Sequence, residues 1–186
     1  MNGPATPSGQ VRLQKGEMGR SPLVFLPLVP VLILACGLRL VFFHGMMGSD
    51  DVVYFTRALD VATGTWSSAD YNGALRYGFN IPAGLFVFLF GPSLFAANLF
   101  SLACSLGEIL LVGYFAHRYW GPRAGIFAAL ALSVMPLHIG AATSVHADPI
   151  AAFFISASFV AFWRATESGS RSLFFLTGML TGYVFW

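Results

Sequence analysis

SLFAANLFSLACSLGEILLVGYFA, residues 93–116, is an apolar and small-residue run whose only charged side chain is Glu108. Wound as an α-helix it extends about 36 Å, enough to cross a hydrocarbon core of ~30 Å. His117-Arg118-Tyr119-Trp120-Gly121-Pro122-Arg123 follows, a basic and aromatic turn of the kind found at a membrane–water boundary. Gly91-Pro92 breaks the chain just before the run.

The pattern repeats on either side. Downstream, apolar runs cover about 124–142, 149–163 and 172–186, with Pro136 a candidate kink in the first and a basic turn from Arg164 to Arg171 before the last. Upstream, residues 22–43 are apolar apart from Arg39. That run is too long for the core of a signal peptide and ends without a small-residue cleavage site. Ile33-Leu34-Ala35-Cys36 fits a lipoprotein cleavage box poorly because of Leu34. It therefore reads as an uncleaved first span. Residues 81–90 are apolar but too short to cross. The polar residues 1–21 read as a disordered tail.

Composition agrees. The 186 residues are 56% hydrophobic and 10% charged, with a mean hydropathy of +0.72. A soluble domain carries about 25% charged residues to face water. The expected fold is an all-α polytopic membrane protein: a tail (1–21), then a multi-spanning domain (22–186) of about four to five transmembrane helices. A long outer loop, 44–92, carries amphipathic surface helices. The last run is too short to span and lacks a polar anchor, so the sequence reads as the front part of a longer protein. No basic run suggests a nucleic-acid partner. Cys36 and Cys104 lie in apolar stretches and read as small hydrophobes.

Charge orients the chain. With the N-terminus in the cytoplasm, Arg12, Lys15, Arg20, Arg118, Arg123, Arg164 and Arg171 all lie inside, and only Arg57 and Arg76 lie outside. Asp50, Asp51, Asp60, Asp70 and Asp148 then collect on the outer face. The expected location is an integral membrane one, the plasma membrane for a bacterial chain.

Three groups could carry chemistry. Ser49 followed by Asp50 and Asp51 is a capped helix start. In a helix over 50–62, Val52, Phe55, Leu59 and Ala62 would form the apolar face, and Asp50, Tyr54 and Arg57 the polar one. A carboxylate so placed can take a proton from an attacking hydroxyl. A solvated amphipathic helix accounts for the same residues. Secondly, Asp148-Pro149 is a good helix start with Asp as cap, flanked by His146 and His138, either of which could join a carboxylate around a phosphate or metal. Thirdly, Arg76 precedes the short apolar helix and could hold a phosphate or anchor the surface. Glu108, inside a span, must be protonated, paired or facing a cavity. No phosphate-binding glycine loop, zinc signature or nucleophile elbow is present.

An ordered set of short motifs then matters. These are Asp50-Asp51 with Tyr54, Gly78 and Pro82, Leu89-Phe90-Gly91-Pro92-Ser93, the basic turn 117–125, Ala131 to His138, and Asp148-Pro149. The set resembles the GT-C type membrane glycosyltransferases, in particular the family-39-like enzymes, which include dolichyl-phosphate-mannose protein mannosyltransferases and lipid A aminoarabinose transferases. The resemblance implies a sugar carried on a polyprenyl phosphate and an acceptor hydroxyl on a lipid, glycan or protein, with inversion at the anomeric carbon. It implies Asp50 as base, Asp51 as its support and Asp148 as a later acid of the same pocket. Tyr54 and His146 would line the substrate site, with Arg57 or Arg76 facing the leaving phosphate. A divalent metal, with Asp148 and His138 as candidate ligands, is compatible with it. Two departures stand out: the pair is Asp-Asp where Asp-Glu is commoner, and Asn80-Ile81-Pro82 replaces a frequent Lys-Pro-Pro. The rival reading is a non-catalytic membrane protein: a transporter fragment, a lipid-carrier flippase or an assembly subunit.

Overall fold

The computed structural model describes residues 26–48, 50–65 and 75–185. The expected tail, the Ser49 cap, Asp70 and Trp186 lie outside them. Among the described residues eight helices follow in order: α1 Val29–Val41, α2 Asp50–Thr63, α3 Tyr77–Phe90, α4 Leu94–Trp120, α5 Pro122–Val134, α6 Pro136–Thr143, α7 Asp148–Ser168 and α8 Arg171–Val184. Among the described residues no strand forms. One isolated parallel bridge joins Gly45 to Ser144.

The protein is a polytopic all-helical membrane protein. α4 and α7 are each long and apolar enough to cross a bilayer, and α5 with α6 adds a third span if the pair is taken together. α5 and α6 meet at a bend of 58°. Pro136 has no N–H to continue the α5 ladder, and the residue before it, Met135, is forced extended (φ −65°, ψ 117°). The candidate kink is thus a break. α1, with 13 residues, is shorter than the span expected over 22–43, and α8, with 14, is short as the last run implied.

α4 is the axis, packed on α5, α7, α3, α1 and α6. Small residues set the closest approaches. A Cβ at Gly125 would stand 2.7 Å from the Gly113 carbonyl oxygen, so α5 meets α4 nearly backbone to backbone. A Cβ at Gly84 would stand 2.5 Å from the Val61 Cβ, which seats α3 against α2. One core gathers Tyr54, Phe79, Val87, Cys104, Val145 and Ile150. The other gathers Leu28, Val31, Ala35, Ile109 and Ala129. Large apolar side chains such as Phe127, Leu137 and Phe175 point outward, as lipid-facing positions do.

α2 corrects one expectation. Its buried stripe is Asp51, Tyr54 and Ala58, while Val52 is exposed. Phe55, Leu59 and Ala62 flank that stripe, half-buried. Tyr54 therefore lies on the inward face instead of sharing an open polar face with Asp50 and Arg57. The cause is tertiary. α2 is covered by α3 and α4, and the phenol ring is the largest apolar body available to fill that junction.

Candidate functional site

The antiparallel passage of the helices sorts the chain ends. Residues 44–48, 50–51, 76–78, 143–148 and 183 meet at one end. The turns after α4 and α7 meet at the other, where Tyr119 and Phe115 pack on Trp163 and Arg164 donates to the Tyr114 hydroxyl.

The first end is built on paired backbone. After α1 the chain turns at Gly45 (φ +75°), a conformation that suits glycine. The N–H groups of His44 and Gly45 donate to the Thr143 carbonyl at 3.1 and 2.9 Å, and Val145 N–H donates to the Gly45 carbonyl at 2.9 Å. This ties the segment leading to Asp50 and Asp51 to the one leading to His146 and Asp148.

Asp148 is the first residue of α7, and Ala147 takes the capping position instead, its carbonyl accepting from Ala151 N–H at 3.1 Å. The Asp148 carboxylate stays exposed, 3.2 Å from His146 Nδ1. Beside it opens a cleft of about 410 Å³, a size suited to a small organic ligand. Arg76 and Asp148 are its charged lining residues, with Phe79, Ile150 and Val184 supplying apolar wall. Arg76 also lies over the Tyr54 ring, 5.6 Å from its centroid, within cation–π range. The same ring packs on Phe79 and edge-on to His146. Tyr54 is thus the buried hub that joins Arg76 to His146.

α8 closes the cleft. Pro82 has no N–H for the Gly78 carbonyl four residues before it, and the Tyr183 hydroxyl donates there instead at 2.6 Å. Tyr183 packs on Phe154, with ring centroids 4.1 Å apart and the planes tilted by 32°.

The other candidates are placed differently. Asp50 opens α2, half-buried, one turn before Tyr54. Asp51 is buried and accepts from Met47 N–H at 2.8 Å, closing the turn into α2. Arg57 bonds Asp60 at 3.2 Å on its own helix, so Arg76 is the guanidinium at the cleft. His138 and Asp148 do not share a site. His138 Nε2 lies 3.0 Å from Glu108 Oε2, and its Nδ1 lies 2.6 Å from an Arg39 nitrogen. With both ring nitrogens taken, His138 has no lone pair for a metal in this arrangement. Among the described residues no group of three or more His, Cys, Asp or Glu is arranged to hold a metal ion.

The sequence motifs left one feature unmarked. Asn98, Ser101, Ser105 and Glu108 lie at spacings of three, four and three, which is one face of α4. All four are buried, and each reaches another segment. Asn98 donates to the Ala142 carbonyl and Ser101 to that of His146, both at 2.8 Å. Ser105 accepts from Arg39 Nε at 2.8 Å, and Glu108 accepts from Ser156 at 3.1 Å. The spacing of these polar residues inside an apolar run was the available signal.

The fold and cleft define a polytopic membrane protein with ionisable side chains gathered at one end of its helices. Comparison with known proteins goes further: residues 80–186, more than half of the chain, match the family described as dolichyl-phosphate-mannose-protein mannosyltransferase, and the chain belongs to that family. The match begins at Asn80, after Asp50, Asp51, Tyr54, Arg57 and Arg76. The chain is also similar to the undecaprenyl phosphate-alpha-4-amino-4-deoxy-L-arabinose arabinosyl transferase 2 of Pseudomonas fluorescens. The two are 30% identical over 132 aligned positions, which cover 67% of this chain and 24% of that relative. The chain thus spans about a quarter of the relative's length. No solved structure matches the chain.

Proposed function

We propose that this chain carries the acidic outer face of a glycosyltransferase that moves a sugar from a polyprenyl-phosphate donor to an acceptor hydroxyl. The observation that supports it best is the cleft that brings Arg76 and Asp148 together from two distant helix starts, in a chain of the mannosyltransferase family. Asp50 takes the proton of the acceptor hydroxyl. The oxygen attacks the anomeric carbon, the bond from that carbon to the phosphate oxygen breaks, and lipid phosphate leaves with the electron pair and with inversion. Arg76 offers a planar set of donors to that phosphate. Asp148, which lines the cleft, and His146, 3.2 Å from it, hold sugar hydroxyls in this reading.

In this reading the N-terminus is cytoplasmic and the cleft faces outward, with the donor entering from the outer leaflet. The named relative's undecaprenyl-phosphate sugar supports a lipid-linked donor of that class. Asp50→Asn tests the assignment. Membrane insertion should be normal, and transfer from a polyprenyl-phosphate sugar should fall about 100-fold or more, since a general base contributes roughly 10²–10⁴. Transfer at the parent rate would remove Asp50 as base.

A further inference from the structure

Four helices converge on a polar cluster inside the apolar bundle, away from the cleft. Arg39 closes α1, Ser105 and Glu108 lie on α4, His138 on α6 and Ser156 on α7. Arg39 is 1% exposed and Glu108 8%. The Arg39 guanidinium donates to the Ser105 hydroxyl at 2.8 Å and to the Ala35 carbonyl at 3.0 Å, and a third nitrogen meets His138 Nδ1 at 2.6 Å. A guanidinium only donates, so His138 Nδ1 accepts and the ring proton sits on Nε2. From there it is donated to Glu108 Oε2 at 3.0 Å, while Ser156 holds Oε1. The imidazole is thus a bridge with a fixed tautomer between a guanidinium and a carboxyl group, and each polar end has protein partners.

The position of this bridge gives it a use. Arg39 lies six residues before Gly45 and His138 six residues before Ser144, and Gly45 and Ser144 are the bridged backbone pair. Beyond that pair the two strands of chain lead to Asp50–Asp51 and to His146–Asp148. The cluster and the bridge are two rungs between the same two segments, one inside the membrane and one at its face. A buried charge cluster is costly to desolvate, and replacing it with apolar residues often leaves stability unchanged or improved. Stability alone therefore does not account for the cluster.

We propose that Arg39, His138 and Glu108 are positioning residues that hold the two acid-bearing segments in register at the cleft. They touch no substrate and act through α1 and α6 on the loops that lead to Asp50 and Asp148. For the meaning of those loops the proposal rests on the transferase reading, but its test does not.

The test uses the full chain in lipid nanodiscs with Cys36 and Cys104 replaced by Ala. Spin labels go on Met47→Cys and Asp148→Cys, positions whose native side chains are exposed, and pulsed electron paramagnetic resonance reads the distance between them. A second pair, at Trp120 and Thr166, reports the opposite end. The parent, with the cluster intact, should give one narrow distance. The combined variant Arg39→Leu/His138→Leu/Glu108→Leu leaves no lone buried charge, so it should insert and keep the Trp120–Thr166 distance. It should broaden the Met47–Asp148 distribution by several ångströms. His138→Gln, whose amide can accept from Arg39 and donate to Glu108, should restore the narrow distance, and His138→Leu should not. A parent-like Met47–Asp148 distribution in the combined variant overturns the proposal, as does equal broadening in His138→Gln and His138→Leu.

Transfer assayed on the label-free proteins separates this idea from the functional reading. Positioning predicts a kcat loss on the order of 100-fold with KM little changed in the combined variant. A parent that broadens as expected on substitution but transfers no sugar keeps the positioning role and removes the transferase. A parent that transfers and a combined variant with unchanged distance do the reverse.

Discussion

Tyr54 shows how a single side chain joins the core to the cleft. It is fully buried, fills the junction of α2, α3 and α4, and presents its ring face to Arg76. Truncating such a ring leaves a cavity that its neighbours fill only in part. Tyr54→Ala should cost about 3–5 kcal/mol of stability. Tyr54→Leu should recover most of that by filling volume, yet it offers Arg76 no π face. Thermal unfolding in detergent measures the first effect, and donor binding should weaken in both variants. Parent-like unfolding of Tyr54→Ala would place the ring outside the core. By helical spacing Tyr54 groups with Asp50 and Arg57, because a phenol counts as polar in the sequence. Which stripe of a short amphipathic helix turns inward is decided by what covers it, here α3 with its close approach at Gly84. The neighbours of a helix are not written in its own periodicity. The pairing of Arg39 with His138, ninety-nine residues apart, was unreadable for the same reason. Glu108 in an apolar span, by contrast, demanded a partner, and His138 and Ser156 supply it.

At the scale of elements, prolines were legible because their effects are local. Pro136 marked the α5–α6 break and Pro149 the start of α7. Pro82 carries a consequence that only the assembled helices reveal. It leaves the Gly78 carbonyl unserved within α3, and Tyr183 from the far end of the described chain serves it. A carbonyl that loses its donor in a half-buried place costs roughly 1–3 kcal/mol. Tyr183→Phe should therefore destabilise the protein by about that amount in the native background. In a Pro82→Ala background the backbone amide regained at that position can close the α3 ladder, and Tyr183→Phe should then cost little. Unfolding of the four proteins in this cycle gives the coupling directly. Equal costs of Tyr183→Phe in the two backgrounds would mean that the hydroxyl does not substitute for the missing amide. α4, α7 and the α5–α6 pair were readable as spans from composition, since 20 or so apolar residues have few other uses. Their lengths were less so. α4 runs on to Trp120 and α7 to Ser168, because the basic and aromatic turns continue as helix beyond the apolar run.

For the whole molecule, the helices place unlike charges at opposite ends. Asp50, Asp51 and Asp148 stand at the end that holds the cleft, while Arg118, Arg123, Arg164 and Arg171 stand at the end closed by Trp120 and Trp163. A basic end is retained on the cytoplasmic side during insertion, and acids bias orientation little. The cleft should therefore face outward, as the proposed lipid-linked donor requires. Single cysteines in a background free of Cys36 and Cys104 decide the matter. Thr56→Cys, at an exposed position on α2, should react with a membrane-impermeant maleimide in intact cells. Thr166→Cys, exposed near the end of α7, should react only after permeabilisation. The reverse pattern would put Asp50 and Asp148 in the cytoplasm, where soluble nucleotide sugars are the accessible donors, and the lipid-phosphate donor would lose its rationale. The expected pattern would also fix the depth of the Arg39–His138–Glu108 cluster. It would lie on the cytoplasmic side of the Gly45–Ser144 bridge, within the membrane, where water is scarce and a hydrogen-bonded charge pair holds its geometry best.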